Sequence, residues 1–223
     1  MRTIFAAFDF ASDDLAAEER NYLENHVRLT KHLPGLRQYL TGRIRALPGE
    51  PPPIYRASML TFDSLDALET AVRKSSVAQT IAADGRAHMK NLRWREIDSE
   101  VVVPFETKRP GMNCFVMAAE FDLKPDGADC VAVEKRYLDH HTHIARCLPG
   151  LRHYVIGRVS RPLGAKPELV GCCDRFRMAM LVFDSAEALR EAYRSPIGQE
   201  LVKDEAATIA NARVYRFDAT VQA

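Results

Sequence analysis

Apolar and polar positions change period along this chain in an order that predicts its elements. Residues 3–10 form a nearly continuous apolar run of strand length. Asp13 and Asp14 supply helix-starting carboxylates, and apolar residues then return every three or four positions to about His32. Pro34 and Gly35 end that helix. Residues 37–44 alternate as a strand, residues 47–53 are a Pro- and Gly-rich turn region, and residues 56–62 form a third strand. Asp63 and Ser64 cap a second helix from Leu65 to about Val72, with a shorter helical piece to about Ala83. Residues 91–103 make the fourth strand, so the order is β-α-β-β-α-β.

The same succession runs again from 113 to 221, and the residues repeat with it. Glu19, Tyr22, Leu23 and His26 return as Glu134, Tyr137, Leu138 and His141, and Leu33-Pro34-Gly35-Leu36-Arg37 returns as Leu148-Pro149-Gly150-Leu151-Arg152. The shift is constant over this block (134 − 19 = 115 and 158 − 43 = 115), which identifies an internal duplication. It grows to 121 between Arg56 and Arg177 (177 − 56 = 121), so the second copy gains about six residues after Arg158. Ser75, Asp84 and Asn91 then match Ser195, Asp204 and Asn211 at 120. The expected organisation is repeat 1 over 1–103, a linker over 104–112 and repeat 2 over 113–223. The fold class is α+β: tandem duplicated ferredoxin-like units, packed sheet to sheet because each leaves one sheet face needing cover. This is a pseudo-dimer within one chain, with further homodimerisation open to it.

Charge narrows the partners. With 31 basic and 30 acidic side chains the net charge is +1, which recommends neither nucleic acid nor an anionic membrane. The apolar runs are strand-sized, too short to span a membrane, and the N-terminus meets Asp9 too early for a secretory segment. Cys114, Cys130, Cys147, Cys172 and Cys173 lack CxxC spacing, and none of the five has a cysteine counterpart in repeat 1. A repeated disulfide or zinc framework is therefore not expected, and a reducing cytoplasm is the expected location.

Tyr22, His26, Leu29 and Leu33 share one face of the first helix, as do Tyr137, His141, Ile144 and Leu148. An imidazole turned inward there can serve as general acid or base, with the tyrosine one turn away orienting a substrate. The competing reading is a core histidine bound to a backbone carbonyl. Arg37 and Arg152 open the next strand and can bind an anionic or phenolic group or form surface ion pairs. Tyr39 and Tyr154, two residues on, are expected on the same sheet face as pocket walls. The second repeat, with its extra loop and its His140-His141-Thr142-His143 cluster, is the expected seat of any unequal function. That cluster is read as solvated surface rather than a metal site. Trp94 aligns with Val214, so no indole is shared by both copies. Nucleotide-binding, metalloprotease and serine-hydrolase motifs are absent.

Tyr-x-x-x-His followed, after six residues, by Leu-Pro-Gly-Leu-Arg-x-Tyr resembles the EthD family of the dimeric α/β-barrel superfamily, in both halves. The resemblance implies a single-chain dimeric α/β barrel. It also implies a pocket between sheet and helices in which His26 and His141 act as bases, with Tyr22 and Tyr137 beside them. Arg37, Tyr39, Arg152 and Tyr154 would contact the substrate. Among such relatives are cofactor-independent monooxygenases, cyclases and isomerases, proteins without known activity, and haem-binding members. The expectation for this chain is a small hydrophobic or aromatic ligand and no cofactor or metal. The alternatives are binding without catalysis, or haem held by one of the two histidines.

Overall fold

The computed structural model describes residues 1–46, 54–106, 109–124, 130–160 and 176–223. The turn region at 47–53, most of the inserted loop of the second copy, Cys172 and Cys173 lie outside the described residues. In the first repeat, strand β1 spans Arg2–Phe10 and helix α1 Leu15–Asn21. The Asp14 side chain accepts a hydrogen bond from the Ala17 N–H, as its place before the apolar stripe predicts. The helix then widens into a π-type turn, Tyr22–Val27, and closes with Arg28–Thr30. Gly35, at φ +72°, takes the left-handed conformation that turns the chain into β2, Leu36–Ile44. After β3 (Arg56–Phe62), Ser64 caps α2 (Leu65–Glu69), which runs into a second π-type turn, Thr70–Lys74. Helix α3 (Ser76–His88) extends about five residues beyond the expected end, and β4 runs Met89–Val103.

The second repeat follows with β5 (Asn113–Leu123), α4 (Cys130–Arg136), a π-type turn (Tyr137–His141) and a last turn, Thr142–Ala145. Strands β6 (Leu151–Ser160) and β7 (Phe176–Phe183), helices α5 (Ala186–Arg194) and α6 (Pro196–Thr208), and strand β8 (Ile209–Val221) complete it. β1 and β2 both pair antiparallel with β3, and β5 and β6 both pair antiparallel with β7. The described strands are hydrogen-bonded in the closed order β1-β3-β2-β8-β5-β7-β6-β4, the tandem ferredoxin-like barrel expected from the sequence.

Two compact units result, and each takes in the end of a long strand. The first contains Met1–Glu96, the short segment ending at Asn113, and Ala219–Ala223; the second contains the strand end that begins at Ile97, and Cys114–Asp218. In the first unit the Tyr39 N–H donates to the Ala223 carbonyl at 3.0 Å. In the second, Gly157 lies so close to the Asp98 backbone that a Cβ there would meet the Asp98 carbonyl at 2.4 Å. Asn91 and Asn211 adopt φ of 55° and 51°, and each side-chain amide donates to a β1 or β5 carboxylate, Asp9 or Asp122. That bond offsets the cost of a left-handed backbone and accounts for asparagine in both copies. Among the described residues, no helix is long and apolar enough to cross a membrane.

The apolar core of the first unit gathers Ile4, Phe8, Phe10, Tyr22, Tyr39, Leu60 and Phe62 between the sheet and its helices. Within it lies a buried ion pair, Arg56 with Glu19, and the Arg56 guanidinium stands 4.5 Å from the centre of the Tyr22 ring. Removing one partner of such a pair leaves the other charge buried and uncompensated, which costs about 3–5 kcal/mol. Glu19→Ala is therefore expected to lower the urea unfolding midpoint strongly; a midpoint within error of the parent would contradict this account of the helix anchor.

Candidate active site

Tyr22 and His26 are brought together by the π-type turn on α1. Their rings stack at 5.1 Å between centroids and 18° between planes, and the Tyr137–His141 pair repeats both values. Each imidazole is then gripped from the last helix of its repeat. His26 Nδ1 lies 2.8 Å from Asp84 Oδ2 on α3, and His141 Nδ1 lies 2.8 Å from Asp204 Oδ2 on α6. An ionised carboxylate accepts, so Nδ1 carries the proton in the neutral ring and Nε2 keeps its lone pair. The sequence reading placed Asp84 and Asp204 only as markers of the repeat. Their signal was available: a carboxylate kept in both copies on the helix that faces the histidine helix.

The units differ in what surrounds this shared pair. In the first, His26 forms part of the wall of a cavity of about 410 Å³. Ile4, Phe8, Leu60, Ile81, Met89 and Trp94 line it, with Tyr22, Tyr39, Ser58 and Arg86 among its polar walls. Its size and mostly apolar lining suit a small organic molecule. At its floor the Tyr22 hydroxyl lies 2.9 Å from each of Tyr39, Thr41 and Ser58. The Thr41 hydroxyl donates onward to the Ala57 carbonyl, so the cluster satisfies itself. Burial holds the Tyr39 phenol well above its ordinary range, keeping it a neutral donor.

In the second unit the cross-strand pair Thr41 and Ser58 is replaced by Ile156 and Ala179. The Tyr137 hydroxyl, with the Tyr154 phenol nearby, is buried outside hydrogen-bonding geometry with any described residue. Val72 and Gly85, both lining the cavity of the first unit, are answered by Tyr193 and Glu205, and the Tyr193 hydroxyl donates to the Glu205 carboxylate at 3.2 Å. Both side chains lie near enough to Tyr154 to help raise its pKa, after burial and Tyr137. They occupy the space that valine and glycine leave open. The His141 side chain is 6% exposed against 13% for His26. Among the described residues, the cavity that includes a helix histidine lies in the first unit, whereas the second copy was the expected seat of any unequal function.

One residue accounts for part of this divergence. The repeat offset falls from 121 at Leu68 to 120 at Ser75 (189 − 68 = 121; 195 − 75 = 120), so the first copy has one extra residue there. That residue is absorbed by the π-type turn Thr70–Lys74, which carries Val72; the second copy has the uninterrupted helix α5 instead.

The arginines of the Leu-Pro-Gly-Leu-Arg corner do not reach the cavity. Arg37 pairs with Asp63 and Arg152 with Asp184, all four exposed. The expectation that Arg37 and Tyr39 share a face fails because β2 carries a bulge: Leu36 opposes Phe62 and Gln38 opposes Thr61, leaving Arg37 as the extra residue. A bulge resets the two-residue alternation, so Tyr39 turns inward and Arg37 outward. β6 repeats the bulge between Leu151 and His153, turning Arg152 outward and Tyr154 inward. His140 and His143 are exposed, and among the described residues no cluster of His, Cys, Asp and Glu has the makings of a metal site.

Comparison with known proteins now places the chain. Residues 14–90, within the first repeat, match the EthD domain family model. No curated protein matches the sequence. Among solved structures, a presumed monooxygenase from Fusobacterium nucleatum is similar over 100% of this chain and 92% of its own, at 12% identity and a TM-score of 0.70. Another presumed monooxygenase, from Lactobacillus acidophilus, is similar over 99% and 94%, at 14% identity and a TM-score of 0.66. An anthrone oxidase-like protein is similar over 98% and 91%, at 15% identity and a TM-score of 0.56. Identities this low establish the fold alone.

The two histidine–aspartate pairs lose stability on acidification in different pH windows. Burial holds the His141 imidazole below its ordinary value of 6.5, against the opposing bond from Asp204. The unfolded chain then takes up that proton first, so stability is fully present above pH 6.5 and falls as pH drops below it. Asp84 is held below its ordinary 3.8 by the bond to His26, despite opposing burial, so its contribution is present above that value and lost only in stronger acid. The His141 ring resonances, followed by NMR, are expected to titrate with a midpoint under 6.5. Equilibrium unfolding should show stability falling as pH drops below 6.5, less steeply in His141→Gln. A His141 midpoint at or above 6.5 would refute the assignment.

Proposed function

We propose that the cavity of the first unit binds a small hydrophobic or aromatic metabolite and that His26 acts on it as a general base. The observation that carries this reading is an imidazole fixed through Nδ1 by Asp84 at the wall of an apolar cavity of about 410 Å³. His26 Nε2 accepts a proton from an acidic C–H or O–H of the ligand, and the electron pair stays on the ligand as an enolate or phenolate. Asp84 stabilises the imidazolium that forms. The anion then takes back a proton elsewhere (isomerisation), expels a leaving group, attacks an internal carbonyl, or reduces molecular oxygen in a cofactor-independent oxygenation.

A second reading, binding without turnover, is favoured by the second unit. His141 and Asp204 keep the same geometry where Tyr193 and Glu205 stand in place of Val72 and Gly85, so the pair has a structural duty of its own. Proton abstraction separates the two readings. The names of the similar structures suggest a first panel of anthrone-type and other carbon-acid aromatics, assayed for exchange of the acidic hydrogen in deuterated water and for oxygen uptake. Catalysis should fall at least about a hundredfold in His26→Ala, roughly tenfold or more in Asp84→Asn, and by no more than about twofold in His141→Ala. Turnover that survives His26→Ala intact would refute the base. Val72→Tyr with Gly85→Glu, which transplants the side chains of the second unit, should abolish both turnover and ligand binding while the protein remains folded by circular dichroism.

A further inference from the structure

We infer that the ligand of this cavity is an anion: an apolar, ring-sized body carrying a carboxylate or similar acidic oxygen that pairs with Arg86. The inference rests on the first unit's cavity being the ligand site, and names the class of molecule that enters it.

Apart from His26, whose charge depends on pH, Arg86 is the one charged residue lining the cavity, and no carboxylate lines it. Four other arginines of this unit are committed to carboxylates: Arg37 to Asp63, Arg43 and Arg56 to Glu19, and Arg73 to Glu69. Among the described residues Arg86 has no such partner. It lies in the last turn of α3, two residues beyond Asp84, and its exposed position leaves the guanidinium at the solvent side of the cavity. A long side chain there lays its methylenes along the apolar wall and keeps its charge at the mouth. The floor offers no competing attraction for an anion, because the Tyr22, Tyr39, Thr41 and Ser58 hydroxyls bond one another. The geometry selects a molecule whose rings fill the apolar interior while its acidic group faces outward to Arg86. The duplicate offers a contrast: the position answering Arg86 is Ala206, where Glu205 and Tyr193 replace the open wall.

An Arg–carboxylate pair of this kind is charge-assisted and suited to a bidentate contact, and at a partly solvated rim it is expected to favour the anion roughly tenfold. Trp94 provides the measurement, since it lines the cavity and is the single tryptophan of the chain. Three probes of one shape, 2-naphthoate, 2-naphthalenemethanol and 2-naphthylmethylammonium, are titrated against the full chain by Trp94 emission, with equilibrium dialysis as a check. The naphthoate should bind roughly tenfold more tightly than the alcohol, with the ammonium weakest. Arg86→Met, which keeps the apolar stem, should bring naphthoate and alcohol to parity, and Arg86→Glu should reverse the order. A cation serving only the dipole of α3 would change stability in these variants without changing the ranking of probes.

If the alcohol and the acid bind equally to the parent protein, or if Arg86→Met leaves the preference intact, the inference is overturned while the cavity stands as a ligand site. If no probe quenches Trp94 or is retained in dialysis, the inference falls together with the ligand class assigned to the cavity. His26→Ala should keep the charge preference, so loss of turnover in that variant bears on the base alone.

Discussion

The structure hangs on a relay of contacts between buried and part-buried polar side chains. Glu19 neutralises Arg56, whose guanidinium faces the Tyr22 ring. Tyr22 stacks on His26, and Asp84 grips the far edge of the imidazole. Each group would be costly to bury alone, and each is made tolerable by the next. The relay also joins the layers, since Arg56 lies on the sheet, Tyr22 and His26 on α1, and Asp84 on α3. Histidine suits the central place because its face stacks while its edge donates, and no aliphatic residue does both. The feature that docks the helices also holds an imidazole at the cavity wall.

The duplicate shows which parts of that arrangement are separable. Stacking and carboxylate grip recur in the second unit, and the ion pair recurs in a more exposed form, with Arg177 and Arg158 engaging a part-exposed Glu134. The hydroxyl floor and the open wall do not recur. Ile156 and Ala179 remove two of the three partners of the tyrosine hydroxyl, and Tyr193 with Glu205 takes the place of Val72 and Gly85. The fold therefore requires the relay, whereas the cavity depends on a few small side chains and one inserted residue. A histidine kept in both copies is consistent with chemistry or with packing, and the two units surround it differently.

Much of the architecture was legible in the sequence, because period and repetition are properties of the chain itself. The strand order, the helix-starting Asp14 and Ser64, the Gly35 turn and the Tyr-His stripe all follow from local pattern. Three things did not. The bulges that turn Arg37 and Arg152 outward depend on register against a partner strand, and nothing in the residues of β2 or β6 announces them. The π-type turns leave apolar spacing almost unchanged, although the one-residue change in repeat offset marked the turn at Thr70–Lys74. The carboxylates that complete the site lie 58 and 63 residues from their histidines, a separation no local window spans. Cavity volume was the least legible quantity, because it is set by what Val72 and Gly85 lack.

Fusion explains how such divergence becomes available. In a symmetric dimer of identical chains, any substitution appears at both sites, so filling one cavity fills the other. Two copies in one chain are free of that coupling. The second copy can exchange a cavity for the packing of Tyr193 and the bond to Glu205, and it keeps the relay that folding needs. The first copy can then hold the strained or open features a binding site requires, including a π-type turn and an unfilled wall. Demands for tight packing and for an open wall, which compete within a single site, can act separately on two versions of the same unit.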